Sequence, residues 1–444
     1  MMIKKNDGLT AIALTLVSLF LFVLPLFSRH FIGLEARFYL FTRDMFLHGA
    51  HIFPQLYGKF YADYLGTPFV FSALSAKLFG HLTLQTAAFP TQCFSAASIG
   101  LLFYHLSKQD KPWAWCAVAM LLVCYQFILS AMQFAIDPAL LFACCLAFIS
   151  AREKQIGGIV IAYFIAFAFR GSIGVILCAV PPLAVHLGDF RAKVAFKGLM
   201  LAAFLLTLGI AAHLALAFHV GGETFVKQTL HMQALGRLQT HTENVWYYLP
   251  VILLNFALPG LLAIFATIIA LPRFLSRKVD GTLLRQCIIW VVIVLLGMSI
   301  PGEKRPRYIL SMTPALAIIS AYLFLGVSRL KTWPKLPALL GSLVVFLLAM
   351  MAFVVTPGMA HHDDASRFAK QLAQQKTLHF YHMNPDQEAI KLLAELPADV
   401  KPVFSDKTKP GVQYITRKVF LPPDVNVIFS GEIGHKQCVL FQLK

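Results

Sequence analysis

Charged residues are scarce: Asp, Glu, Lys and Arg make up 13% of the 444 residues, where a soluble domain carries roughly a quarter. That shortage excludes a chain built to face water along most of its length. Cysteine supplies no framework either. Of the eight cysteines, Cys93, Cys116, Cys124, Cys144, Cys145, Cys178 and Cys287 lie in apolar runs and only Cys438 in a polar stretch. No CxxC pair occurs, so a disulfide scaffold and a thiolate metal site are both excluded, and these thiols read as small packing residues. Internal repeats and low-complexity tracts are absent, which argues against a solenoid. Acidic residues are few, leaving a formal net charge of +17. The excess does not indicate nucleic acid, because the cations fall between apolar runs and no nucleic-acid motif accompanies them.

What the chain has is apolar sequence, 58% of it hydrophobic, in runs approaching the roughly 20 residues that cross a bilayer. Candidate spans are 9–27, 88–106, 113–132, 138–150, 156–169, 171–187, 194–218, 246–270, 284–300, 308–326 and 337–356. The expected fold is an α-helical polytopic membrane protein with about eleven crossings. The segment 65–80 is also apolar and is either interfacial or an extra pair, raising the limit to thirteen. The run from Leu9 to Phe27 is too long for a signal h-region, and Ser28-Arg29-His30 is a poor cleavage site, so it reads as a retained first helix.

Basic clusters at Lys4/Lys5, Lys108/Lys111, Arg152/Lys154, Arg191/Lys193, Arg273/Arg277/Lys278 and Arg329/Lys331/Lys335 are separated by pairs of crossings. They can therefore share the cytoplasmic face. The topology then has a cytoplasmic start in an inner (plasma) membrane. Its extracytoplasmic stretches are a long first loop 28–64, the segments 219–245 and 301–307, and the tail. The domain division is 1–357 in the membrane and 358–444 outside. In the tail, helical patterns (363–375, 386–396) mix with alternating runs such as Thr377–Tyr381, Tyr414–Val419 and Cys438–Leu443, which predicts a small α/β domain.

Charges beside a membrane bundle mark candidate functional sites. In the first loop Glu35, Arg37, Arg43 and Asp44 interleave with aromatics at helical spacing, which also suits an amphipathic helix on the outer bilayer surface. In Gly302-Glu303-Lys304-Arg305-Pro306-Arg307-Tyr308, three cations fall on the outer face against the positive-inside tendency. Such donors hold a phosphate, with Arg offering a bidentate fork; lipid headgroup binding is the plainer reading. Asp137-Pro138 and Arg170-Gly171 map to the same side. His361-His362-Asp363-Asp364 has no recognised ligand spacing and sits where Asp caps a helix. No metal site is assigned.

The stretch Leu34-Glu-Ala-Arg-Phe-Tyr-Leu-Phe-Thr-Arg-Asp-Met-Phe-Leu-His-Gly, then Ile52-Phe-Pro and Tyr57-Gly-Lys-Phe-Tyr-Ala-Asp-Tyr, resembles the first loop of the GT-C membrane glycosyltransferases. The nearest pattern is that of the lipid A aminoarabinose transferases and the dolichyl-phosphate-mannose–protein mannosyltransferases: D-E-x-R-Y-x-x-x-x-R-x-M, then Y-F-x-K-P-P. Asp137-Pro138 stands where the family often starts a helix with Asp, and Phe169-Arg170-Gly171 where it has T-K-G. Trp246-Tyr-Tyr-Leu-Pro matches its W-Y-Y-x-P, and Lys304-Arg-Pro-Arg-Tyr-Ile-Leu its K-L-P-x-Y-x-L. The likeness covers most of 28–326. Three positions depart from it: Leu34 replaces an Asp, Phe38 a Tyr, and Tyr64 the Lys before Pro.

The resemblance implies transfer of a sugar from a polyprenyl (undecaprenyl) phosphate carrier to lipid A, another lipopolysaccharide sugar or a protein hydroxyl. Its partners would be that donor, a lipid or protein acceptor and membrane lipids. It fixes no cofactor, although a divalent cation is compatible with it. The leaving phosphate needs cations or donors, for which Arg37, Lys59, Tyr61, Arg170, Lys304, Arg305, Arg307 and Tyr308 are the candidates. An acid orients or deprotonates the acceptor: Glu35 first, then Asp137 and Asp63. The rival readings are a secondary transporter, disfavoured by the missing inverted repeat, and a family member that binds carrier lipid without transfer.

Overall fold

A computed structural model describes residues 5–24, 31–189, 193–236, 243–256, 259–265, 267–268, 282–328, 336–350, 364–385, 388–434 and 436–443. Lys4, Ser28-Arg29-His30, Arg191, the clusters at 273–278 and 329–335, His361-His362-Asp363 and the expected domain boundary at 357/358 lie outside the described residues.

The bundle is helical. Its described helices are α1 (Lys5–Val23), α2 (Glu35–His48), α3 (Thr67–Leu78), α4 (Leu84–Ser107), α5 (Lys111–Val123), α6 (Tyr125–Ala131), α7 (Asp137–Arg152), α8 (Ile156–Gly188), α9 (Lys193–Leu230), α10 (Tyr248–Asn255), α11 (Thr282–Ser299), α12 (Thr313–Ser328) and α13 (Leu336–Met350). Local chemistry sets several starts. Thr83 and Thr86 form a capping box at α4, and the Asp110 side chain accepts from the Trp113 N–H at α5, each satisfying a donor the first turn leaves open.

Glycines break the two longest helices. Gly171 in α8 takes φ 59° and ψ −145°, a left-handed conformation that costs glycine little. A Cβ added at Gly174 would collide with the Ala166 carbonyl, although in one straight helix these residues stand about 12 Å apart. The chain therefore reverses at Gly171, and α8 is a hairpin of two antiparallel halves. Gly222 does the same for α9, with φ 64°. Gln233 returns to within 3.3 Å of His213, where a straight helix separates them by about 30 Å.

Among the described residues, six helices are long and apolar enough to cross a membrane, or eight if each of two bent pairs is one span. The expectation was eleven to thirteen. The difference arises because α7 has only 16 residues, because the expected span 337–356 is described only as far as Met350, and because the α8 hairpin counts once. At 12 residues, α3 spans about 18 Å, too short to cross, so 65–80 adds no pair of crossings.

Polar side chains pull several helix ends together. Lys111 pairs with Asp7 and Lys108 with Glu153, while Arg152 donates to Gln286 and Gly188 packs on the same residue. The α1 start, the α4 and α7 ends, the α8 end and the α11 start therefore share one end of the bundle.

A small domain lies at the opposite end: α14 (Ala365–Leu372) and α15 (Glu388–Glu395) with β3 (Thr377–Tyr381), β4 (Lys401–Ser405), β5 (Gln413–Arg417), β6 (Val425–Ile433) and β7 (Lys436–Leu443). The strand numbering follows β1 (Gln55–Leu56) and β2 (Lys59–Phe60), a hairpin in the first loop. The sheet order is β4-β3-β5-β7-β6, parallel on both sides of β3 and antiparallel from β5 onward. The domain is not free-standing. Its core runs on into α2, α3 and the start of α7 as one apolar cluster. Arg43 on α2 donates to the Leu393 and Leu396 carbonyls at 3.1 and 2.8 Å, at the α15 C-terminus, where carbonyls run short of intrahelical donors. Tyr57 donates its hydroxyl to the Pro385 carbonyl at 2.9 Å. Thus α2, expected on the bilayer surface, is instead buried along one face between α3 and this domain.

Candidate active site

The first loop, the α7 start, the α8 turn and the stretch 303–308 converge on two adjoining chambers. The first, about 400 Å³, has apolar walls from α8 and α9, including Ile173, Ile176, Ile210 and Leu214. The second, about 1210 Å³, is walled by the first loop, the segment 125–135 and the stretch 303–308. Six residues line both: Asp63, Tyr64, Asp137, Glu303, Arg307 and Tyr308.

Asp137 begins α7, where the helix N-terminus favours a carboxylate. It is buried, and its Oδ1 accepts from Nε of Arg170 at 3.0 Å and also from Nη2. The Gly171 turn ends the first half of α8 and so delivers Arg170 to this carboxylate. Arg307 lies over the Tyr308 ring, 5.7 Å from its centroid, and its buried Nε has no hydrogen-bond partner among the described residues. The Tyr308 hydroxyl donates to Glu303 Oε1 at 3.4 Å, and Arg305 Nε donates to the same oxygen at 3.4 Å.

Tyr64 is wedged at the junction by Phe38, Phe41 and Phe69. Burial raises its pKa, the Asp63 charge adds to that, and Arg307, Arg170 and Arg37 oppose it. Its hydroxyl is thus a neutral donor among charges. His213, Thr229 and Gln233 give the apolar chamber a polar corner, where the Gln233 amide also donates to the Ala62 carbonyl.

Glu35 is 1% exposed. Its Oε2 accepts from the Ile32 N–H and its Oε1 from the Phe134 N–H, both at 2.7 Å, which ties the first loop to the segment before α7. Arg37, two residues on, lines the second chamber and lies 5.4 Å from the Tyr61 ring centroid. Arg170 lines the first chamber, and Arg305 the second.

Three anticipated residues line neither chamber. Lys59 is exposed on β2. Tyr61 stacks on Tyr64 at 6.0 Å. Lys304 is buried and donates to the Glu243 carbonyl at 3.2 Å. Conversely, Glu303, Tyr64, His213, His231 and Gln233 line the chambers without having been assigned. The signal for His213 was a lone imidazole in an apolar run; for Glu303 it was the one acid in a basic stretch. Among the described residues no group of three or more His, Cys, Asp or Glu is placed to hold a metal.

A family model described as the Alg9-like mannosyltransferase family matches residues 236–396. An uncharacterized protein of Aquifex aeolicus (strain VF5) is 26% identical over 268 residues, 59% of this chain. The match spans just over half of that relative's length, 56%. The crystal structure of ArnT from Cupriavidus metallidurans bound to undecaprenyl phosphate superposes with a TM-score of 0.68 at 15% identity, covering 97% of both chains. The Archaeoglobus fulgidus oligosaccharyltransferase tethered with an acceptor peptide superposes with a TM-score of 0.54 at 12% identity, over 90% of this chain and 64% of that one.

Proposed function

We propose that this multi-pass membrane protein, whose fold is that of the GT-C glycosyltransferases, moves a sugar from a polyprenyl phosphate carrier to an extracytoplasmic acceptor. The observation that carries the reading is the meeting of an apolar-walled chamber with a polar one at a junction of acids, Arg307 and two tyrosines. A lipid-linked sugar has this same division: an isoprenoid tail, a phosphate and a polar ring. The tail lies against α8 and α9, and the phosphate meets Arg307, with Arg37, Arg170, Arg305 and Tyr308 around it. These donors stabilise the charge that grows on the leaving phosphate.

In this scheme Glu35 positions the loop that carries Arg37, because both its oxygens already accept backbone N–H groups. Asp137 holds Arg170 in place. The chambers face the extracytoplasmic side of the inner membrane, since the opposite end carries the basic groups Lys108, Lys111 and Arg152.

The solved ArnT bound to undecaprenyl phosphate supports the same carrier class here. The test is binding of undecaprenyl phosphate to the purified protein, with uncharged undecaprenol for comparison. Preference for the phosphate by tenfold or more is expected, and equal binding would sink the proposal. Mass spectrometry of envelope glycans with and without the protein then identifies the product. For the orientation, a cysteine at Val419, which is 87% exposed, should react with an impermeant thiol reagent in intact cells. Labelling only after permeabilisation reverses the assignment.

A further inference from the structure

The junction of the two chambers holds three carboxylates, and two of them are already engaged. Asp137 is spent on Arg170, and Asp63 has interactions of its own. Glu303 differs. Its Oε1 takes two long hydrogen bonds, from Tyr308 and Arg305 at 3.4 Å each. Its Oε2 has no hydrogen bond among the described residues, and the side chain keeps 32% of its surface exposed. Through Arg305 and Tyr308 this carboxylate is tethered to groups assigned to the carrier phosphate, which sets it beside the carbon under attack.

The charge balance of the whole site points the same way. Four carboxylates (Glu35, Asp63, Asp137, Glu303) and four guanidinium groups line the two chambers. They cancel, and no lysine joins them. One carrier phosphate therefore tips the site negative. A second phosphate, brought in as acceptor, would enter a cavity with no cation to spare and a carboxylate at the point of attack. Like charges at close range repel, and the more so the less water lies between them. A hydroxyl acceptor meets no such penalty, and it needs the base that a phosphate acceptor would not.

We propose that Glu303 takes the proton of the acceptor, and that the acceptor is accordingly a neutral hydroxyl and not a phosphate. This rests on the glycosyl-transfer reading above. The O–H proton passes to Glu303 Oε2 as the acceptor oxygen bonds to the anomeric carbon. The bond from that carbon to the phosphate oxygen breaks, and its electron pair leaves with the carrier as polyprenyl phosphate. The proton on Glu303 is later released to water. No oxidant, reductant or further reactant is needed.

The experiment uses the full-length protein in lipid nanodiscs and a panel of undecaprenyl-phosphate-linked hexoses and aminoarabinose as donors. Dodecanol and dodecyl phosphate serve as acceptor probes, with undecaprenyl phosphate binding measured on the same preparations. Transfer to dodecanol is expected, with none to dodecyl phosphate. Glu303→Gln, which keeps the shape and an acceptor for Tyr308 and Arg305, should lower kcat at least about a hundredfold while carrier affinity stays within about threefold. Glu303→Asp should recover part of the loss. Transfer to dodecyl phosphate, parental kcat in Glu303→Gln, or transfer to neither probe by protein that binds the carrier each overturns the assignment and leaves carrier binding standing. Protein that neither binds undecaprenyl phosphate nor transfers removes the glycosyltransferase reading, and this inference with it.

Discussion

The two ends of the bundle use charge in opposite ways. At the end where α1, α4, α7 and α11 meet, polar side chains bind one another: Lys111 pairs with Asp7, Lys108 and His105 with Glu153, and Arg152 donates to the Gln286 amide. Neither chamber reaches them. At the other end Asp63, Asp137, Glu303 and Arg307 line open space. The first arrangement holds helices in register. The second leaves charged groups facing a cavity that an arriving ligand can enter.

Asp137 gives the sharpest way to break this contrast, because it belongs to both kinds: it is paired and also lines the chambers. Asp137→Ala strands a buried guanidinium, and losing one partner of a buried pair costs about 3–5 kcal/mol. We expect a large drop in thermal stability in detergent together with loss of transfer. Replacing Asp137 and Arg170 together by Ala and Leu should restore much of the stability and none of the transfer. Recovery of both would reduce the pair to scaffold.

Next in size is Arg307→Ala, expected to weaken undecaprenyl phosphate binding tenfold to a hundredfold, since a charge-assisted bond contributes about 1.5–3 kcal/mol. Arg307→Lys should also lose affinity, because an ammonium cannot reproduce a bidentate fork. Lys304→Ala is the internal comparison. Its ammonium faces the Glu243 carbonyl, so carrier affinity should change by no more than about threefold.

Arg43→Ala tests the seam between the bundle and the small domain. Burial lowers the Arg43 pKa while Tyr39 and Tyr57 oppose that; its two carbonyl partners offset part of the burial. Loss of these bonds should weaken docking by about 2 kcal/mol, read as faster proteolytic release of the small domain. An unchanged rate would mean that the apolar contacts alone hold the domain.

The smallest effect belongs to the closed end. Burial raises the Glu153 pKa, but hydrogen bonds and charges from Lys108 and His105 outweigh it, so the net shift is downward. A depressed carboxylate stabilises the fold above its unfolded pKa, near 4.3, and that contribution fades as pH falls through the folded value. Glu153→Gln should therefore lower stability at neutral pH by less than about 1 kcal/mol. The difference from the parent should vanish in acid. Transfer at neutral pH should be unaffected.

Much of this organisation was legible in the sequence. Apolar runs located the helices, and the alternating runs from Thr377, Tyr414 and Cys438 became β3, β5 and β7. Spacing could not show β4 and β6, the two edge strands, in which Ile433 is the one buried residue and no buried face recurs at every second position. The site divided along a similar line. Unusual charges such as Asp137, Arg170 and Arg307 announced themselves against an apolar background. Whether a cation turns inward was beyond reach: Lys304 and Arg305 are adjacent, yet Lys304 is buried against a backbone carbonyl and Arg305 lines a chamber. The fold of α9 back on itself, which brings Gln233 to His213, depends on a reversal at Gly222 that hydropathy alone does not encode.

The α8 hairpin has a consequence for the surrounding lipid. Each half of α8, which exposes Ile161, Phe164, Ile173 and Ile176, extends about 24 Å, whereas the hydrocarbon core of a bilayer is about 30 Å thick. Lipids that meet short helices thin to match them, at a cost of fractions of a kcal/mol per ångström. Thinning of the bilayer along the exposed face of α8 is the expected response, and it would bring the water boundary toward Arg170 at the turn between the two halves. A long-chain lipid whose headgroup rides at such a boundary would arrive level with the junction without being lifted from the bilayer.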